Sequence, residues 1–133
     1  MFHSPDASPE SKVSRSDALS QSGLDLLFVG DLTGAAQAFR EAIQADPGHI
    51  EAHHGLIRAL YDAEQFEGAV TAAQTLTMLT PNDPLAHTSL SIALQKAGRI
   101  SEAESAAGRA RILEWKQQLT AESATDTERK PLS

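Results

Sequence analysis

The sequence predicts an all-α array of three helical hairpins, and three observations lead there. Ala35, Ala69 and Ala103 recur at an interval of 34 residues, as do Leu26, Leu60 and Leu94, and Leu32, Phe66 and Ile100. That interval is about nine times the period of an amphipathic helix, so what repeats is a whole supersecondary unit. From residue 17 to residue 119 the chain divides into six segments of apolar helical period, and none alternates as a strand does. Links of roughly three residues between them imply antiparallel neighbours throughout.

The expected helices span 17–29, 33–45, 49–62, 66–79, 83–97 and 101–119. Pro47 and Gly48 stop the second helix before His49 starts the third, and Pro81 repeats that stop one unit later. Asp83 is placed to cap the fifth helix, whose first residue is Pro84, a ring already held at helical φ. Gly98 suits the left-handed residue that closes this helix. Ser101 followed by Glu104 reads as a capping box opening the sixth.

Three such units fill most of the 133 residues as one domain, residues 17–120, with repeats at about 16–49, 50–83 and 84–117. Residues 1–16 are rich in serine, contain Pro5 and Pro9 and lack apolar periodicity, which predicts an unstructured tail, and 121–133 read the same way. The net charge of −7, with Lys and Arg scattered, argues against nucleic acid as a partner. Absence of cysteine removes disulfides, thiolate metal sites and cysteine nucleophiles together. The first residues lack the basic and apolar regions of a secretion signal, and no stretch reaches the roughly 18 apolar residues of a membrane span. A cytoplasmic protein with no membrane association is expected.

In these features the chain resembles the tetratricopeptide-repeat family, whose 34-residue unit follows W-x2-L-G-x2-Y, A-x3-F and P. The first unit matches as Leu19, Ser22, Gly23, Leu26, Ala35, Phe39 and Pro47. The second gives His53, Leu56, Ile57, Leu60, Ala69, Ala73 and Pro81, and the third His87, Leu90, Ser91, Leu94, Ala103 and Ala107. The resemblance implies a right-handed superhelical array with a concave groove lined by the first helix of each unit. The alanines are small where paired helices cross about 8 to 10 Å apart. Phe39 gives way to Ala73 and Ala107, so a light, alanine-rich core of modest stability is expected. Trp115 stands where the third proline would fall and lets the sixth helix continue. Its stripe with Ile112 and Leu119 is expected to cover the last open face as a C-terminal cap.

His49, His53, His54 and His87 raise a metal hypothesis, but H-E-x-x-H is absent, and His53 and His87 occupy the place of a packed ring. No nucleophile elbow or phosphate loop is present, and the carboxylates lie along exposed faces. No metal, cofactor or enzymatic activity is expected. The groove implied by the resemblance presents Leu24 and Phe28 from the first helix, His54, Arg58 and Tyr61 from the third, and Thr88, Ile92 and Lys96 from the fifth. Ser20 and Leu24 stand where a subset of the family has a lysine and an asparagine that grip chaperone C-termini. That clamp is therefore incomplete here. The expected function is a protein-binding adaptor or co-chaperone that seats a peptide in the groove. Apolar residues nearly all round the first helix leave a self-assembling scaffold, hence a homo-oligomer, as the alternative.

Overall fold

The computed structural model describes residues 9–128, with side chains over 13–124. Its helices are α1 (Pro9–Phe28), α2 (Leu32–Ala45), α3 (Ile50–Asp62), α4 (Phe66–Leu79), α5 (Pro84–Lys96) and α6 (Ile100–Glu128). Each packs against the next in the chain, and α1 also reaches α3, as expected of hairpins stacked in sequence. There is no strand among the described residues.

The interval of 34 residues is written into the backbone of the turns. Gly30, Glu64 and Gly98 each take a left-handed conformation, with φ of 86°, 60° and 81°. The amide that follows each reaches back to the repeated leucine: Asp31 to Leu26, Gln65 to Leu60 and Arg99 to Leu94, all at 2.9 Å. This is the Schellman closure, which satisfies a carbonyl that a helix end leaves open. Between units, Asp83 caps α5 by accepting from the Leu85 amide at 3.0 Å, with Pro84 as its first residue. The expected capping box at Ser101 does not form. Ile100 is already helical, so Ser101 lies inside the first turn, and Arg99 instead pairs with Glu102 at 2.7 Å and Glu67 at 3.1 Å.

Ala35 and Ala69 are completely buried and Ala103 nearly so, as the crossing of paired helices demands. Leu60 and Leu94 are buried beside them, while Leu26, in the terminal unit, is half-buried. Most buried apolar residues are alanines, with Phe39, Leu76 and Val70 the large ones that lose all exposure. Phe39 sits against α1 and α3, where a Cβ on Gly23 would lie 2.7 Å from its ring and one on Gly55 closer still. One repeat later the equivalents of Gly23 and Gly55 are Ile57 and Ser89, and the equivalent of Phe39 is Ala73. Volume removed from one helix reappears on its neighbours, so the loss of the second aromatic ring is offset locally.

Both ends depart from expectation. Residues 9–16 are helical and not an unstructured tail, because Ser16 is fully buried and its Oγ donates to the Ala42 carbonyl oxygen at 2.9 Å. A serine-rich stretch here supplies a polar anchor between α1 and α2. At the other end the helix runs through 121–128 to Glu128. The rest of the two expected tails, 1–8 and 129–133, lies outside the described residues. The Ile112, Trp115 and Leu119 stripe does not cap the array, since all three remain exposed. The side of α6 that faces its neighbours carries Leu113 instead, and beyond it an open depression of about 610 Å³ lies beside Gln117, Ala121 and Asn82.

Candidate functional site

The helices that begin each hairpin, α1, α3 and α5, all end at a left-handed turn, and α3 and α5 also have capped starts, at His49 and Asp83. Their side chains are thereby held in a common register. An open cavity of about 430 Å³ lies between α3 and α5, lined by His54, Ile57, Arg58, Tyr61, Asp62, Ser89 and Ile92. His54, Arg58, Tyr61 and Asp62 fall three or four residues apart and so share one face of α3. Ile92 and Ser89 do the same on α5.

The floor is apolar and the rim polar. Tyr61 stands with its ring edge-on to Phe66 of α4, centroids 5.6 Å apart and planes at 71°, a geometry favoured by the ring quadrupoles that fixes the wall of the cavity. Arg58 Nε donates to Asp62 Oδ2 at 2.8 Å along the helix. Its charge is therefore already balanced within the chain, and an acid on a partner competes with Asp62 for it. Burial pushes the His54 pKa below its ordinary value and His53 pushes the same way, against the attraction of Asp83 and Glu51. At neutral pH His54 is an uncharged ring offering one donor and one acceptor to the cavity.

Of the eight residues expected in the groove, His54, Arg58, Tyr61 and Ile92 are brought together here. Leu24 and Phe28 on α1, and Thr88 and Lys96 on α5, do not line this cavity. Phe28, at the end of α1, is 93% exposed. Ile57 and Ser89 line it without having been anticipated. Both were legible as the repeat equivalents of Gly23 and Gly55, the places where side-chain size changes from unit to unit.

The other described histidines are committed to architecture. His53 Nε2 lies 2.8 Å from the Pro47 carbonyl oxygen and His87 Nε2 2.8 Å from that of Pro81. A carbonyl only accepts, so each ring donates, fastening the first helix of a unit to the turn before it. His49 caps α3, its Nδ1 accepting from the Ala52 amide at 3.1 Å while Nε2 faces Asp17 at 2.8 Å. Among the described residues no three His, Cys, Asp or Glu side chains converge on a point where a metal ion would sit. No described helix is long and apolar enough to cross a membrane.

A family model for the tetratricopeptide repeat matches residues 29–93. No curated protein matches the sequence significantly. Among solved structures the chain is similar to MamA, at 19% identity and a TM-score of 0.74 over 82% of this chain and 68% of that one. It is similar to the first tetratricopeptide domain of Spaghetti (RPAP3), bound to the HSP90 peptide SRMEEVD, at 16% identity and a TM-score of 0.72. That match covers 87% of this chain and 96% of the other. A chain of the CopN-Scc3 complex superposes with a TM-score of 0.71 at 20% identity, over 92% of this chain and 72% of that one.

Proposed function

We propose that the chain, which matches a tetratricopeptide-repeat family model over residues 29–93, is an adaptor binding a peptide segment of a partner protein in the cavity between α3 and α5. The observation that carries this reading is the cavity itself: an apolar floor of Ile57, Tyr61 and Ile92 with a polar rim of His54, Ser89 and the Arg58–Asp62 pair. Such a site takes an apolar side chain of the peptide as anchor, while the rim reads the groups that flank it. Exposed Lys96, on the next turn of α5, adds a positive charge at the edge. Peptide binding by this fold is supported by the similar Spaghetti domain, which is bound to the HSP90 peptide SRMEEVD. Here Ser20 is buried and Leu24 is apolar, so affinity rests on the apolar anchor more than on a carboxylate clamp. The reading is of a binding protein, with no catalytic step and no cofactor.

The test is selection of a random peptide library on the wild-type protein, followed by fluorescence polarisation of the enriched peptides against Tyr61→Ala and Ile92→Glu. At least about tenfold weaker binding in both variants, with unchanged far-ultraviolet circular dichroism, is expected for residues that anchor a ligand. Equal affinity for wild type and both variants would sink the proposal.

A second reading, a scaffold that assembles through the N-terminal face, draws on the exposure of Leu24, Phe28 and Val29 at the end of α1. Phe28→Ser abolishes assembly in that case, and a wild-type chain that self-associates no differently from this variant removes it.

A further inference from the structure

The outer stripe of α6 is an apolar surface that none of the described helices covers. At about 100° per residue, the buried Ala103, Ala106, Ala110 and Leu113 mark the side of α6 that faces the array. Ile112, Trp115 and Leu119 centre about 170° away from them. They are 47%, 61% and 43% exposed, and Trp115 is the only tryptophan in the sequence. The stripe points away from the other described helices, so repacking among them does not bury these side chains. A scattered surface leucine needs no explanation, but three large apolar residues in one register on an outward face do.

The order of residues along the helix selects the occupant. Reversing the direction of α6 about a point between Trp115 and Lys116 places Ile112 opposite Leu119 and returns Trp115 to the centre. The stripe is therefore complementary to itself. Arg111 and Glu122 lie on the same flank of this stripe, about three turns apart, at about 7 Å and about 10 Å along the axis from that centre, an offset the long Arg111 side chain spans. In an antiparallel pair related by a two-fold axis, a flank meets the same flank of the second helix, so Arg111 of each copy faces Glu122 of the other. The overall charge of −7 opposes association of two copies, yet residues 109–122 carry Arg109, Arg111 and Lys116 against Glu114 and Glu122. The acidic repulsion is thus relieved at this surface and nowhere else along α6.

We infer that two copies of the chain pair through antiparallel α6 helices, with Trp115 at the centre and two symmetry-related Arg111–Glu122 ion pairs. This interface is separate from the cavity between α3 and α5 and from the apolar end of α1, so the groove of each copy stays open in the dimer.

Sedimentation velocity from about 1 to about 200 μM tests it, with Trp115 fluorescence read in parallel. The mass is expected to rise from monomer to dimer with concentration, the emission shifting to the blue as the indole leaves water. R111E and E122R each place like charges opposite one another and weaken dimerisation by about tenfold. The double variant R111E/E122R regains it, as does an equimolar mixture of the two single variants, because each supplies the charge the other lacks. F28A dimerises as wild type. A monomer at the highest concentration overturns the inference. So does a dimer indifferent to R111E and E122R, or one lost in F28A and kept in R111E.

Discussion

The ring of Phe39 on α2 lies where a Cβ on Gly55 of α3 would be, so the first two repeats meet through a large side chain set against bare backbone. Gly23 on α1 forms the other jaw, 2.7 Å from the ring in the same sense. The joint transmits the orientation of the first hairpin to α3, and hence to the helix that carries His54, Arg58 and Tyr61.

Alanine at Gly55 gains about 1 kcal/mol of helix propensity but forces a fully buried ring to move, which costs about 1 to 3 kcal/mol. Gly55→Ala is therefore expected to lower the urea midpoint. Gly68→Ala is the control, since a Cβ there meets Leu60 at an ordinary 3.6 Å, and the same measurement should show a gain.

Glu64 is the one described non-glycine residue in a left-handed conformation, at the position where the other two units have Gly30 and Gly98. That conformation costs an L-residue roughly 1 to 2 kcal/mol, part of which glycine returns as unfolded-state entropy. Glu64→Gly is expected to raise the thermal midpoint by a few degrees, as calorimetry would register.

Ser16 anchors the start of α1 through its bond to the Ala42 carbonyl. Ser16→Ala leaves that buried acceptor without its partner, at a cost of about 1 kcal/mol. Hydrogen exchange should show the loss concentrated in α1 and α2. Exchange unchanged from wild type would mean that the segment before Asp17 adds nothing to the first hairpin.

His54 makes stability depend on pH. Its folded pKa is depressed below the ordinary 6.5 chiefly by burial, so the unfolded chain takes up this proton more readily. The contribution is fully present above the unfolded value and is lost as pH falls through the folded one. Urea midpoints at about pH 7.5 and about pH 5 should separate more for wild type than for His54→Asn.

The repeat made the fold legible because the same position carries the same class of residue three times, and Ala35, Ala69 and Ala103 all prove buried at helix crossings. Composition misled at residues 9–16, where serine suggests solvation but Ser16 is a buried donor. Periodicity found the Ile112, Trp115 and Leu119 stripe but assigned it to the wrong side of α6. The phase was available from Ala103, Ala106 and Ala110, whose small side chains mark the packed face. Half of the expected groove residues converge, and the others do not. The cavity depends on the spacing of α3 and α5, which follows from side-chain volumes such as Ile57 and Ser89 and not from helix register alone.

The most direct test of the groove is a nitrogen–proton correlation titration of the labelled protein with a peptide selected on it. Amide shifts concentrated at His54, Ile57, Tyr61 and Ile92 are the expected result. Shifts confined to the outer helices α2 and α4, or to the end of α1 around Phe28, would contradict binding between α3 and α5.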